Sequence, residues 1–239
     1  MTTYVLVHGG GHGGWCWQRI TPMLRSAGHE VYTPTLTGLG ERSHLLGPAI
    51  DLDTHITDVV NVLHYEDLRD IVLVGHSYGG MVITGVADRV SGRVGHLVYL
   101  DASVPLDGES LAAVAPGPMD AAHAGAKVVD GVELVLFPGT DPLSFYGVTD
   151  ADDIEWMKPK LTPHPWKCFS QPIRLVNEAA TKDIPRTMIN CTSTLRMRPP
   201  ERVHRVLTGE RVWEIDTGHD LMITEPKVVA DMLLRVASA

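Results

Sequence analysis

The sequence predicts an α/β fold, with a mostly parallel central sheet flanked by helices and a cap inserted into it. Three observations carry this. Short apolar runs such as Tyr4–Val7 and Ile71–Val74 alternate with segments of helical period. Strands that are apolar on both faces belong in a parallel sheet covered by helices on each side. The rhythm then breaks over residues 104–183, where Pro-rich pieces (VAPGPMD, LFPGTDPLSFYG, LTPHPWKCF) replace it, and it resumes at Thr187. Eighty residues exceed a bare loop, so an inserted cap is expected there. The chain divides accordingly into core residues 1–103, cap residues 104–183 and core residues 184–239.

The elements follow in order. Tyr4–Val7 is a strand closed by His8 and glycines. Trp17, Ile20 and Leu24 recur at helical spacing until Gly28 stops the helix. Glu30–Thr33 is a second strand. Leu52, Ile56, Val59 and Leu63 form one face of a helix entered through Asp51 or Asp53 as N-cap. Ile71–Val74 is a strand, Met81–Val90 the helix after it, and His96–Leu100 the next strand. Within the cap, Asp150–Leu161 reads as helix. Thr187–Cys191 is a strand, Pro199–Leu207 a helix opened by prolines, and Arg211–Ile215 the last strand. Val228, Val229, Met232, Leu233 and Val236 mark a final amphipathic helix, with Thr224 expected as its cap.

Composition narrows the partners. With 239 residues, 44% hydrophobic and 21% charged, the chain can bury a sizeable core. A net charge of −9 and the absence of a Lys/Arg cluster argue against nucleic acid. No apolar run is long enough to span a bilayer, and MTTYVLVHGGG lacks the features of a signal peptide. The three cysteines, Cys16, Cys168 and Cys191, are too few and too scattered for a disulfide framework or a zinc site. The 12 histidines show no metal-binding spacing. The expectation is a cytoplasmic protein with no cofactor or metal, acting on a small molecule.

The chemistry lies at strand ends. Gly75-His-Ser-Tyr-Gly79 follows a buried strand and opens a helix, the context of a nucleophile elbow. Glycines are needed because side chains at 75 or 79 would collide in so tight a turn, and the helix dipole favours negative charge at Ser77. The bland reading is a Gly-rich turn whose serine only caps the helix; motif and context together favour Ser77 as nucleophile. The run VHGGGHGGW, residues 7–15, leaves backbone N–H groups at the first strand's tip, so the amides of Gly10 and Tyr78 are candidate oxyanion donors. A nucleotide loop is the weaker reading, since GGGHGGW is not G-x-G-x-x-G. His219, in the loop after the last strand, is placed to act as general base.

These motifs resemble the α/β-hydrolase superfamily, and more narrowly the methylesterase and hydroxynitrile lyase family, which includes plant salicylate-binding esterases and bacterial carboxylesterases. The resemblance is carried by VHGGGHGGWCW, LDTHITDVVNVL, VGHSYGGMV, VYLDASVP and GHDLMITEP. It implies a cap over a mostly apolar pocket, no cofactor, and often a homodimer. The lyase branch carries Thr or Asn after the first His and Lys after the catalytic His. Here those positions are Gly9 and Asp220, which disfavours cyanogenic chemistry.

One departure stands out. In relatives the strand matching Thr187–Cys191 ends in a motif like C-T-x-D, whose Asp orients the histidine. Here the letters are CTST, so Thr194, or Ser193 on a one-residue shift, takes the acid's place. A hydroxyl can bond the imidazole but cannot stabilise imidazolium by charge, a loss of about 10⁴-fold in kcat in the reference enzyme. Asp101 ends the preceding strand and is the replacement acid expected here, with an acid-less Ser-His pair as the alternative; Asp216 and Asp220 lie too close to His219 in sequence. In the cap, Phe145, Tyr146, Trp156 and Trp166, with Met157 and Phe169, are candidates to line the substrate pocket, although each alone is better explained by packing of the cap against the core. The expected activity is a serine carboxylesterase acting on small or medium esters of aromatic or cyclic acids. The alternatives are non-hydrolytic proton-transfer chemistry, and ligand binding by a degraded triad.

Overall fold

The computed structural model describes residues 1–138 and 146–238. Six strands form the main sheet in the order β2-β1-β3-β4-β8-β9, and every neighbouring pair is parallel. They are β1 (Thr3–Val7), β2 (Glu30–Tyr32), β3 (Ile71–His76), β4 (Val94–Leu100), β8 (Arg186–Cys191) and β9 (Arg211–Ile215). Because β2 lies on one side of β1 and β3 on the other, the strand order reverses at β1. Sites in such sheets form at the carboxyl ends of the strands beside that reversal.

Side-chain alternation sorts each strand between two cores. Val5, Val7 and Leu73 face helices α2 (Leu52–Tyr65) and α3 (Gly79–Val90). Tyr4, Leu6, Val72 and Val74 face α1 (Thr21–Ser26) and the C-terminal helix Pro226–Ala237. The cap of α2 is Asp51, in a capping box with Thr54; Asp53 instead pairs with Arg89. The expected first helix is split into a 3-10 turn, Gly14–Trp17, and α1, because Pro22 in the first turn sets where the α-helix begins.

Between β4 and β8 the chain leaves the main sheet. Two short helices, α4 (Leu111–Val114) and α5 (Pro116–Ala124), precede a small antiparallel sheet of β5 (Lys127–Val129), β6 (Val132–Val135) and β7 (His164–Pro165). The helix expected over 150–161 is α6 (Ala151–Met157), capped by the Asp150 carboxylate. It tightens into a 3-10 turn at Lys158–Lys160, where Pro159 interrupts it. Two further short helices follow, α7 (Trp166–Ser170) and α8 (Glu178–Thr181).

After β8 come α9 (Thr192–Leu195) and α10 (Pro200–Val206). After β9 come α11 (Leu221–Thr224) and α12, the C-terminal helix already given as Pro226–Ala237. Thr224 does not cap α12. It closes α11, its hydroxyl meeting that of Thr217 at 2.7 Å. Helix α12 opens after Glu225 on Pro226, whose preset φ and missing N–H lessen the need for a side-chain cap. All three cysteines are free and buried.

Candidate active site

Ser77, Asp101 and His219 follow β3, β4 and β9, and the structure brings them together at one edge of the sheet. Ser77 sits at φ +54, and Asp101 at φ +44. These are left-handed conformations that strain a non-glycine residue and are held by their surroundings. For Ser77 the surroundings are specific. A Cβ at Gly75 would lie 2.6 Å from the Gly79 carbonyl oxygen, and one at Gly79 would lie 2.7 Å from that of Val7. Only glycine permits the turn.

The three side chains form a continuous hydrogen-bonded chain. Ser77 Oγ lies 2.8 Å from His219 Nε2, and His219 Nδ1 lies 2.5 Å from Asp101 Oδ2. A carboxylate only accepts, so Nδ1 carries the proton and Nε2 is left bare to accept from the serine. Asp101 is 1% exposed. Burial pushes its carboxyl up, but the His219 bond, the nearby charges of His219 and Arg198 and the Thr194 hydroxyl outweigh it. They hold the group well below the usual carboxylate range.

Thr194, where the resemblance leads one to expect the acid, directs its hydroxyl away from the imidazole. Its hydroxyl donates to Asp101 Oδ1 at 2.7 Å, the nearer of two acceptors, the Cys191 carbonyl lying at 3.2 Å. The Cys191 amide also donates to Asp101 Oδ1, at 3.3 Å, and Arg198 stands 3.6 Å away. The vacated strand end has become a support for the carboxylate on the neighbouring strand. Ser193 donates to the Thr217 carbonyl, and Asp216 accepts from Thr192.

The glycine loop after β1 packs directly on the elbow. A Cβ at Gly9 would lie 2.9 Å from Ser77 Cβ and 2.8 Å from His76 Nδ1. Buried imidazoles pin this loop. His8 Nδ1–H donates to the Gly9 carbonyl at 2.9 Å while its Nε2 accepts from Leu36 N–H at 3.0 Å. Peptide C=O and N–H point in opposite directions, so this bond aims the Gly10 amide away from His8. The Gly10 carbonyl accepts from His12 Nδ1 at 2.8 Å and from the Tyr146 hydroxyl at 3.1 Å. Gly11 N–H donates to His164 Nδ1 at 3.2 Å. Burial, aided by the neighbouring imidazoles, pushes His8 down to about 3 and His164 well down, so both are neutral.

The remaining sequence-derived candidates scatter. Tyr146 is buried with its hydroxyl on the Gly10 carbonyl, a support for the loop. Trp166 stacks on His123 at 4.1 Å and meets Phe169 edge-on at 6.3 Å. Phe169 does reach the loop: a Cβ at Gly10 would lie 2.9 Å from its ring and 3.1 Å from Leu136. Trp156 is turned to a different task. Its ring lies against Trp15, with Arg19 at 4.7 Å and Lys160 at 3.8 Å, so two cations face it. Phe145 lies outside the described residues.

Two features escaped the sequence reading. One is the partner of Asp220, which the sequence reading weighed only against the lyase pattern and as a triad acid: it is fully buried and bonded to His12 at 2.9 Å. The other is the buried set of imidazoles under the loop, and the second His of HGGGHGG was its visible trace. Among the described residues, His55, His164 and Cys168 bring three metal-capable atoms within 4.8 Å of one another. However, His55 Nδ1 is engaged by the Tyr78 hydroxyl at 2.9 Å and its Nε2 by the Thr37 carbonyl, so the group works as a hydrogen-bond hub beneath Tyr78.

Comparison with known proteins agrees with this geometry. The alpha/beta hydrolase family matches residues 4–232. The chain belongs to that family. A carbendazim hydrolyzing esterase from Nocardioides sp. (strain SG-4G) is 37% identical, over 98% of each chain. A pheophorbidase from Raphanus sativus is 25% identical over 98% of this chain and 94% of its own. Among solved structures, an extracellular alpha/beta-hydrolase from a Paenibacillus species superposes with a TM-score of 0.78 at 25% identity, covering 98% of both chains; it is described as sharing structural and functional homology with tobacco salicylic acid binding protein 2.

Proposed function

We propose that this carboxylic ester hydrolase works through an acyl-enzyme on Ser77, with His219 as general base and Asp101 as the acid that orients it. The observation that carries the reading is the unbroken chain from Ser77 Oγ through His219 to Asp101, at 2.8 and 2.5 Å. Ser77 Oγ attacks the ester carbonyl carbon and passes its proton to His219 Nε2. The resulting imidazolium is stabilised by the Asp101 carboxylate, already ionised and already bonded to Nδ1. The amides of Gly10 and Tyr78 receive the tetrahedral oxyanion. When the intermediate collapses, His219 returns the proton to the leaving alkoxide. Water, activated by the same imidazole, then releases the acid and restores Ser77.

The substrates we propose are small or medium esters of aromatic or cyclic acids, admitted beneath the segment between β4 and β8 acting as a cap. The Phe169 ring and Leu136, both against the Gly9–Gly10 loop, support an apolar acyl site. The hydrolytic reading is favoured over proton-transfer chemistry because Asp101 supplies the carboxylate missing at position 194.

The test is hydrolysis of p-nitrophenyl acetate, then of methyl esters of aromatic acids and of carbendazim, by wild type and Ser77→Ala. Wild-type turnover with a burst of p-nitrophenol, lost in the variant, is expected. A folded wild type without a burst or turnover on any ester would overturn the reading.

A further inference from the structure

Under the glycine loop lies a second His–Asp pair that the reaction above does not use. His12 and Asp220 are both fully buried, with Nε2 and Oδ2 at 2.9 Å. The other ring nitrogen of His12 faces the Gly10 carbonyl at 2.8 Å. A carbonyl oxygen can only accept, so Nδ1 must carry a proton. An ionised carboxylate also only accepts, so Nε2 must carry one too. The ring then holds two protons and a positive charge. The aromatic neighbours suit a cation: Trp15 stacks on the His12 ring at 5.2 Å and 22°.

We propose that His12 is a standing imidazolium, paired with Asp220, whose task is to hold the Gly10 loop in the geometry that receives the oxyanion; both are positioning residues for the reaction. The proposal rests on the reading of Gly10 as an oxyanion donor. The pair is wired to both halves of the site. On one side, His12 and the Tyr146 hydroxyl share the Gly10 carbonyl, and a Cβ at Gly9 would touch Ser77. On the other, Asp220 directly follows His219, and its own amide donates to the Tyr146 carbonyl at 2.9 Å. His76 adds a cross-tie by donating from Nε2 to the His219 carbonyl at 3.0 Å. Oxyanion loop and base loop are thus fastened to one buried charge pair.

The surroundings leave the charge on His12. Burial opposes it, but the Asp220 charge and bond and the Gly10 carbonyl outweigh burial and raise His12 above the ordinary imidazole value. Asp220 is held low against burial by the charge and the hydrogen bond of His12. His76, whose Nε2 is 3.8 Å from Asp220 Oδ1, is pushed down to about 3 by burial and then by His219, so it stays neutral. The Cys16 thiol, near the same carboxylate, is pushed well up by burial and stays protonated. A hydrogen bond donated by a cation is shorter and about twice as strong as a neutral one. That is the advantage of a charged His12 over a neutral one at the Gly10 carbonyl.

Two measurements test this. In wild type, nitrogen-15 NMR of the imidazoles at pH 7.5 should show His12 with both ring nitrogens protonated, its signals assigned in wild type itself by through-bond correlation to the His12 backbone. A bare Nε2 opposite a protonated Asp220 would overturn the proposal, and this readout needs no turnover, so it stands apart from the esterase reading. In kinetics, Asp220→Asn and His12→Gln should lower kcat by about 10-fold or more with KM within about twofold, since losing a whole oxyanion donor costs about 10²–10³-fold. Affinity for an aryl trifluoromethyl ketone, which forms a tetrahedral adduct on Ser77, should fall by the same factor. A rise in KM at constant kcat, or folded variants with unchanged kcat, would overturn it. If neither variant folds, the wild-type NMR decides.

Discussion

Replacing Asp101 by Asn tests the acid assignment more sharply than removing the side chain. Asp101 Oδ1 accepts from the Thr194 hydroxyl at 2.7 Å and from the Cys191 amide at 3.3 Å. In Asp101→Asn those two donors retain the amide oxygen on that side, and the amide nitrogen is turned toward His219 Nδ1. Two N–H groups cannot face each other, so His219 must move its proton to Nε2. Nε2 then meets Ser77 as a donor and cannot take its proton. In the reference Ser-His-Asp enzyme the same change costs about 10⁴-fold in kcat, which corresponds to about 5.5 kcal/mol of transition-state stabilisation. The expected result is a loss of about three to four decades in kcat on p-nitrophenyl acetate, with KM within about threefold. Burst kinetics and thermal unfolding of the same samples separate a lost base from a lost fold. A folded Asp101→Asn enzyme within tenfold of wild type would show that His219 does not depend on this carboxylate.

Other expectations follow from the same contacts. Thr194→Val removes one of the donors on Asp101 and should reduce kcat by about tenfold or less, at most about 1.4 kcal/mol of barrier, because the Cys191 amide and Arg198 remain. Thr194→Asp restores the residue type of the relatives but sets two carboxylates against each other. The acid limb of its kcat/KM profile should move to higher pH, and an unmoved limb would argue against the contact. Gly79→Ala drives a Cβ to 2.7 Å from the Val7 carbonyl oxygen and should lower the urea midpoint by an amount equivalent to about 1–3 kcal/mol or more. Stability should also fall steeply with acid. His8 and His76 are pushed down to about 3 in the folded chain but return to ordinary imidazole values when unfolded. Between pH 6 and 4 the unfolded chain therefore binds about two more protons, so stability is lost as pH falls, with a slope of about 2.7 kcal/mol per pH unit from these two groups. Urea melts across that range check it, and a flat profile would contradict the neutral, buried rings.

Much of the main sheet was legible because its strands are apolar on both faces and its helices have one apolar stripe. Ser77 and His219 were legible because the elbow and the loop after the last strand have fixed places in such a sheet. Asp101 could be proposed from its place at the tip of the strand beside the vacated one. The small sheet between β4 and β8 was not legible: β5 is exposed at all three residues and β7 is two residues long, so neither carries an apolar signature. The setting of Trp156 was only half legible: Lys160, which stands over its ring, is four residues along the chain, whereas Arg19 lies too far away in sequence to announce its stacking there. The His12–Asp220 pair spans 208 residues, and only the fold brings its partners within reach.

An acid placed after β4, as we propose, also bears on how the site is braced. Ser77 N–H bonds to the Leu100 carbonyl at 3.3 Å, and Ser103 N–H to the Ser77 carbonyl at 3.1 Å. Nucleophile and acid therefore sit on adjacent, directly laced strands and behave as one stiff plate. His219 arrives from β9, across β8, on a loop whose Gly218 lies against Gly147 so closely that a Cβ would fall 2.0 Å from its oxygen. The histidine loop is braced separately from that serine–aspartate plate, by the tight Gly147–Gly218 contact on one side and by the His76 bond to the His219 carbonyl on the other.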